Sequence, residues 1–162
     1  MAVKGYSRAQ IRLHWAVMIL VVLQFLLHDG IANAFDEGLE AGTLTISAPV
    51  IGHFVGGLLI TFLVIWRFML RQERGVPPPP EGEPAVFSMA GRAAHAGFYV
   101  ILLLLPATGA IAWGSASAGA SLAHEILRAA LFFLILAHIG AVAVHQFVWK
   151  TGLLQRMITP VD

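Results

Sequence analysis

The sequence predicts an all-α membrane protein, a four-transmembrane-helix bundle with both termini in the cytoplasm, folded as a single domain of residues 1–162. First, 58% of the residues are hydrophobic and 12% are charged, whereas a soluble domain is roughly half apolar and a quarter charged. Second, four apolar segments are each long enough to cross a hydrocarbon core about 30 Å thick. Third, most basic residues lie in the segments that would be on one side of the membrane if the chain crosses it four times.

The first two spans are separated by an acidic segment. Helix 1 is expected at about residues 9–30, because residues 13–27 contain no charged side chain. The next segment has no lysine or arginine and is predicted to be a hydrophilic loop; its acids are Asp29, Asp36, Glu37 and Glu40. Helix 2 is expected at about residues 49–70, with Pro49 in the first turn, where no backbone N–H is needed.

The last two spans follow a proline-rich segment. Residues 71–84, with the sequence RQERGVPPPPEGEP, are predicted to form a stiff, exposed connection. Helix 3 is expected at about residues 88–113, and Pro106 within it predicts a kink that neighbouring helices accommodate. A turn of small residues then leads to helix 4, at about residues 122–150.

The distribution of basic residues predicts the orientation. In a four-span chain they fall at one end of the bundle: Lys4, Arg8, Arg12, Arg67, Arg71, Arg74, Arg92, Lys150 and Arg156. The opposite loops carry acids, and Arg128 lies within helix 4. The positive-inside rule therefore places both termini and the proline-rich connection in the cytoplasm. Membrane lipid is the expected surrounding, and no binding to nucleic acid is expected.

Histidine, and not cysteine, carries the candidate chemistry. The chain has no cysteine, which excludes disulfides, iron–sulfur clusters, zinc–thiolate sites and covalent C-x-x-C-H attachment of haem. It has seven histidines, and five or six of them lie within the predicted spans. Ionisable side chains inside a membrane are costly, so they normally face the bundle interior and serve a function.

These histidines form two levels across the bundle. His124 and His138 of helix 4 share one face and are separated by roughly 21 Å of helical rise. His53 lies at the outer level with His124. At the inner level, depth alone does not choose the partner of His14; the candidates are His95, His138 and His145.

Inward imidazoles from different helices indicate a planar cofactor held by two histidines, which is the chemistry of low-spin b-type haem. The other interpretation of any single histidine is a hydrogen bond between helices. Small residues beside the histidines are predicted to leave room for a macrocycle; they are Gly52, Gly56, Gly57, Gly140 and Ala141. The first two of these also match the G-x-x-x-G pattern of helix dimers.

Several segments together resemble the bacterial cytochrome b561 family. They are YSRAQIRLHW at residues 6–15, the His53 segment ending in Arg67 and Arg71, LPATG at 105–109, HE at 124–125, and His138 followed by HQFVWKTGLLQRM. The resemblance covers nearly the whole chain. It implies two non-covalent haems b, an outer one on His53 and His124 and an inner one on His14 and His138. It also implies a multi-pass protein of the bacterial inner (cytoplasmic) membrane.

The family includes superoxide oxidases that pass electrons to ubiquinone. The resemblance therefore implies a superoxide:ubiquinone oxidoreductase, which moves electrons from a periplasmic one-electron donor through two haems to a quinone. The acidic outer loop favours an alternative, a cytochrome b subunit that takes electrons from a periplasmic dehydrogenase, hydrogenase or c-type cytochrome. A remoter alternative is a haem-free transporter bundle, whose usual inverted repeats and broken helices the sequence does not show.

Four further residues are candidates for contacts with a cofactor. Arg128, one turn after His124, is expected either to bind a haem propionate or to extend to the membrane interface. His95, His145 and Trp149 are expected near the inner haem. Quinone reduction there needs protons, which a histidine can pass near neutral pH. The other interpretation is an aromatic and cationic belt at the interface.

Overall fold

The computed structural model describes residues 5–161, and within this range the chain forms helices and no strand. The α-helices are α1 (Arg8–Leu26), α2 (His28–Ala41), α3 (Ala48–Arg74), α4 (Ala85–Gly114) and α5 (Ala118–Ala143). A π-helical turn, Val144–Val148, continues α5, and a short 3-10 helix, Leu154–Met157, follows near the C-terminus.

Four of these helices are long and apolar enough to span a membrane: Arg8–Leu26, Ala48–Arg74, Ala85–Gly114 and Ala118–Val148. Large apolar side chains cover their outer surface; Leu26, Leu58 and Phe62, for example, are 75%, 72% and 61% exposed. A surface of this kind is stable in lipid and not in water. The predicted all-α bundle of four apolar spans is confirmed.

The prediction of a loop after the first span is wrong, because residues 28–41 form a separate helix, α2. The span itself, α1, ends at Leu26, four residues earlier than predicted. α2 is amphipathic: Phe35 and Gly38 are buried, and the Phe35 ring lies 6.1 Å from that of Trp113. Its four acids are exposed; these are Asp29, Asp36, Glu37 and Glu40. With 14 residues, α2 is not one of the four candidate spans, and its amphipathic pattern is typical of a helix at a membrane interface.

The spans pack in chain order, because α1 contacts α3, α3 contacts α4, and α4 contacts α5. Ring contacts between α1 and α5, such as Phe25 with Phe132 at 6.1 Å, close the bundle. The buried core comes from all four spans and comprises Val17, Val21, Ile60, Val64, Leu102 and Leu131. This apolar layer separates the two ends of the molecule.

We call the two ends the arginine-rich end and the acidic end. At the arginine-rich end, Gln10 donates through Nε2 to the Gly75 carbonyl (3.1 Å), and Arg67 donates to the Gln10 carbonyl (3.0 Å). The C-terminal segment returns there, because Trp15 donates to the Met157 carbonyl at 2.8 Å and Arg156 to that of Pro78 at 2.7 Å. The acidic end carries α2.

Candidate functional site

His53 of α3 and His124 of α5 face each other near the acidic end, and we call them the acidic-end pair. Their ring centroids are 6.1 Å apart, with an angle of 61° between the ring planes. Both line a largely apolar cavity of about 380 Å³. Its other lining residues include Gln24 and Phe25 of α1, Leu102 and Gly109 of α4, and Arg128 of α5.

The His124 ring is oriented by α4. Its Nδ1 lies 2.9 Å from the Leu105 carbonyl and 3.3 Å from the Thr108 hydroxyl. Because a carbonyl only accepts, Nδ1 carries the proton, and Nε2 keeps the lone pair that a metal needs. Gly109 allows this approach, since a Cβ there would lie 3.2 Å from two atoms of the ring.

A second group of histidines lies in the half of the bundle near the arginine-rich end. His14 of α1 and His138 of α5 have ring centroids 6.3 Å apart and planes at 63°, and we call them the arginine-end pair. His95 of α4 also approaches His138, at 5.8 Å and 82°. Its Nδ1 is held by the Gly91 carbonyl at 2.7 Å. The structure thus brings three of the predicted inner-level histidines together.

His145 stands apart from this group. It is 7% exposed, lies in the π-helical turn, and its Nδ1 is 3.0 Å from the Thr151 hydroxyl. Its ring packs against Trp149 at 4.7 Å, and Trp149 packs against Phe87 at 5.0 Å. Of the candidate partners for His14, His145 is therefore the one whose ring contacts Thr151 and Trp149 and not the other histidines.

Arg128 lies at the cavity but already has an anionic partner. Its Nε and Nη2 donate to Oε2 of Glu125 at 2.9 Å and 2.5 Å. The other carboxylate oxygen of Glu125 is 3.7 Å from Nδ1 of His28. Glu125 therefore pairs with Arg128 and does not contribute a hydrogen bond to His124.

The glycines predicted to clear a macrocycle have different surroundings. Gly52 and Gly56 face the C-terminal end of α1 in the same chain. A Cβ at Gly52 would meet Leu27, which follows α1, and a Cβ at Gly56 would meet Gln24. Gly57 and Gly140 have open space at the position of a Cβ. The G-x-x-x-G match is thus used for packing within the bundle.

Sequence reasoning missed three residues of the site. Gln24, Thr108 and Gly109 line the cavity or contact His124. Gln24 offered a signal, because it is an uncharged polar residue in the middle of an apolar span. Thr108 and Gly109 lie in the LPATG segment that carries part of the family resemblance, but the segment does not indicate a contact with His124, since small residues are frequent in membrane helices for packing alone.

The comparisons with known proteins agree with this architecture. The model of the family described as prokaryotic cytochrome b561 matches residues 5–160. A cytochrome b562 of Cereibacter sphaeroides is 32% identical over 161 residues, covering 96% of each chain. Cytochrome b561 homolog 1 of Escherichia coli is 24% identical, covering 94% of this chain and 96% of its own. A probable superoxide oxidase CybB of Yersinia pestis is 28% identical, covering 96% of each.

The family match covers nearly the whole chain, and the four apolar spans and the facing histidines suit a cytochrome b. Haem b is the cofactor that membership implies, and electron transfer in a bacterial membrane is the role. The chain is therefore a member of the prokaryotic cytochrome b561 family, a multi-pass membrane electron-transfer protein.

Proposed function

We propose that the chain holds two haems b, one on His53 and His124 and one on His14 and His138, and carries electrons between them to a quinone. The separations of the paired rings support this most directly. Two imidazoles that both bind one iron, through metal–nitrogen bonds of about 2 Å, would have ring centroids at most about 6 Å apart. The two pairs measure 6.1 Å and 6.3 Å. His95 and His138, at 5.8 Å, also meet this criterion, so the choice of His14 rests on the family resemblance.

The residues around the acidic-end pair fit a haem. The cavity is lined mainly by apolar side chains, and the orientation of His124 leaves Nε2 free for iron. Within residues 5–161, no group of three or more His, Asp or Glu could hold a bare metal ion. A two-histidine pair therefore suits a cofactor that brings its own equatorial ligands. When bound, haem with two histidine ligands supplies one-electron transfer and no open coordination position.

The chain positions the two pairs in series. α5 contributes one histidine to each proposed pair, and the step of fourteen residues from His124 to His138 corresponds to about 21 Å along the helix. The buried apolar core of the bundle contributes residues from all four spans to the region around this path. Electrons that enter at the acidic end are therefore proposed to leave at the arginine-rich end.

Quinone reduction is proposed at the arginine-rich end. His95 lies beside His138 and keeps its own Nε2 free, because Nδ1 is occupied by the Gly91 carbonyl. At the same end, the ring of His145 packs against Trp149, and His145 lies in a π-helical turn, a feature that is frequent at functional sites. We propose that these three residues contact the quinone, with ubiquinone as the acceptor that the family resemblance implies.

Arg128 is proposed to contact a propionate of the haem at the acidic-end pair. Its guanidinium lines the cavity and offers five N–H donors, of which two serve Glu125. The Glu125 carboxylate holds the guanidinium at the cavity wall.

The electron donor at the acidic end has two candidates. Superoxide follows from the family resemblance, and one relative is named as a probable superoxide oxidase. The exposed acids of α2 favour the second candidate, a basic periplasmic redox protein, because they repel a small anion and attract a cationic surface. α2 lies at the cavity, since Phe35 contacts Trp113, and Trp113 contacts Phe54 of the cavity wall.

A haem count on detergent-purified protein tests the proposal. We expect two haems b per chain by pyridine haemochrome, and one in His14→Ala and in His53→Ala. His95→Ala should keep both and lose quinone reduction. Wild-type protein without haem, made with ample haem supplied, would contradict the cytochrome function. One haem in His95→Ala and two in His14→Ala would assign the pair near the arginine-rich end to His95 and His138.

A further inference from the structure

Two buried polar atoms beside the cavity lack a hydrogen-bond partner. Within residues 5–161, the buried side-chain atoms in this condition are Oε1 of Gln24 and Nδ1 of His53. Both residues line the cavity of the acidic-end pair. Each such atom in a native protein calls for an explanation, because burying it unpaired is unfavourable. One of these atoms is an acceptor, and the other can carry a proton.

The packing of α1 on α3 brings the two residues to the same level. Gln24 lies against Gly56, which follows His53 by three residues and so shares its face of α3. Three residues after Gln24, Leu27, which follows the end of α1, lies 3.6 Å from the Cβ position of Gly52. These two contacts flank His53 on either side along α3.

In the acidic-end pair, the ring of His124 is oriented by a hydrogen bond, whereas Nδ1 of His53 has no partner among the described residues. His124 has the Leu105 carbonyl as acceptor for Nδ1–H, at 2.9 Å. A metal-bound imidazole normally donates its second N–H to such an acceptor, which orients the ring and raises the basicity of the ligand nitrogen. His53 needs the same support. The amide oxygen of Gln24 can only accept, so it is complementary to Nδ1–H of His53.

We propose that Gln24 is the positioning residue for His53: its Oε1 accepts a hydrogen bond from His53 Nδ1–H while Nε2 of His53 serves as the haem ligand. The inference rests on the proposed function of His53. Gly56 is part of the same arrangement, because a Cβ at residue 56 would overlap Nε2 of Gln24. The amide keeps its place only while residue 56 is glycine.

Substitutions at Gln24 test this in the haem-loaded protein. Gln24→Leu removes the acceptor at similar size, so the ligand nitrogen becomes less basic and ferric iron is stabilised less. We expect a higher midpoint potential for this haem and about tenfold weaker haem retention. Gln24→Glu keeps an acceptor, and we expect retention close to wild type with a lower midpoint potential. Potentiometric titration and electron paramagnetic resonance of the ferric haem measure these changes.

Gly56→Ala provides a second, independent test, because it displaces the Gln24 amide without changing the amide itself. We expect it to reproduce the shift of Gln24→Leu. Two matched controls should leave both haems unchanged. Thr61→Val removes a hydroxyl that bonds only within α3, and Gly114→Ala adds a Cβ in open space. The haem of the arginine-end pair is the internal reference in every variant.

The outcomes separate this inference from the function on which it rests. A wild-type protein without haem at His53 and His124 would overturn both. Two haems in the wild type, with an unchanged midpoint potential and haem retention in Gln24→Leu and Gly56→Ala, would overturn the role of Gln24 alone. Equal loss of haem in Gln24→Glu and Gln24→Leu would also overturn it, because the acceptor would then be irrelevant.

Discussion

Gly109 determines how closely α4 can approach the ring of His124. A Cβ at this position would lie 3.2 Å from Cε1 and Nδ1 of the ring, which is closer than side chains normally pack. The ring is also held by the Leu105 carbonyl, so it cannot move away without losing that bond. One hydrogen atom in place of a methyl group thus maintains the orientation of a proposed ligand.

We expect Gly109→Ala to weaken haem retention at the acidic-end pair by about tenfold or more, because the ligand ring loses its orientation. Gly97→Ala is the matched control. It lies on the same helix and faces α5, but its Cβ would meet only the end of the Leu134 side chain, at 3.4 Å. Optical spectra during haem transfer to apomyoglobin measure the loss. Equal retention in the two variants would show that the Gly109 contact has no such role.

At the residue scale, the sequence points to the proposed ligands more clearly than to the residues that orient them. Histidine is costly in a membrane, so His53 and His124 are visible in the sequence by type and depth alone. The choice between His95 and His138 as partners of His14 depends on ring positions that differ by a few ångströms, and depth alone does not provide them. Residues such as Thr108 orient a ring through contacts between helices, and the LPATG segment to which Thr108 belongs does not specify that contact.

The short helix α2 shows where periodicity and hydropathy lead to different conclusions. A hydropathy window finds a polar segment with four acids and predicts a loop. The apolar residues of the same segment, Ile31, Phe35 and Leu39, recur every four residues, which is typical of an amphipathic helix. The spans were predictable because lipid requires long, uniformly apolar helices. An interfacial helix has no such requirement, so its sequence signal is weaker.

The charge of α2 distinguishes the two donors. A triple variant of α2 removes three exposed negative charges at the acidic end; its substitutions are Asp36→Asn, Glu37→Gln and Glu40→Gln. We expect haem reduction by a basic c-type cytochrome to slow by about tenfold at low ionic strength, and reduction by superoxide to accelerate. Stopped-flow absorbance measures both rates. The control is the double variant Glu81→Gln and Glu83→Gln at the arginine-rich end, which should change neither rate. If the control changes the rates as much as the α2 variant does, the acids of α2 do not steer the donor.

The molecule as a whole has two chemically different ends joined by an apolar bundle. The arginine-rich end holds the connection between α3 and α4 and the C-terminal segment, which are joined by the hydrogen bond from Arg156 to Pro78. The acidic end holds α2 and the cavity. The four antiparallel spans were predictable from hydropathy, and the asymmetry of the ends from charge. The pairing of the histidines required the lateral arrangement of helices, which neither property encodes.

The charge asymmetry predicts that the arginine-rich end faces the cytoplasm. Because the chain has no cysteine, a single introduced thiol reports its own location. We expect Glu37→Cys in α2 to react with a membrane-impermeant maleimide in intact spheroplasts. Glu81→Cys in the proline-rich connection should react only after lysis. Both positions are exposed, so they are matched for access in the folded protein. The reverse pattern would invert the topology.

α5 carries one histidine of each pair, and this has a consequence for the speed of the relay. Under the proposed ligation, His124 and His138 belong to one continuous helix, so the axial separation of the two irons depends on covalent geometry and helical hydrogen bonds. Sideways movement of α1, α3 or α4 in a fluid bilayer leaves that separation nearly constant. Electron tunnelling weakens exponentially with distance. The rate between the two centres should therefore be insensitive to the thickness and lateral pressure of the surrounding lipid.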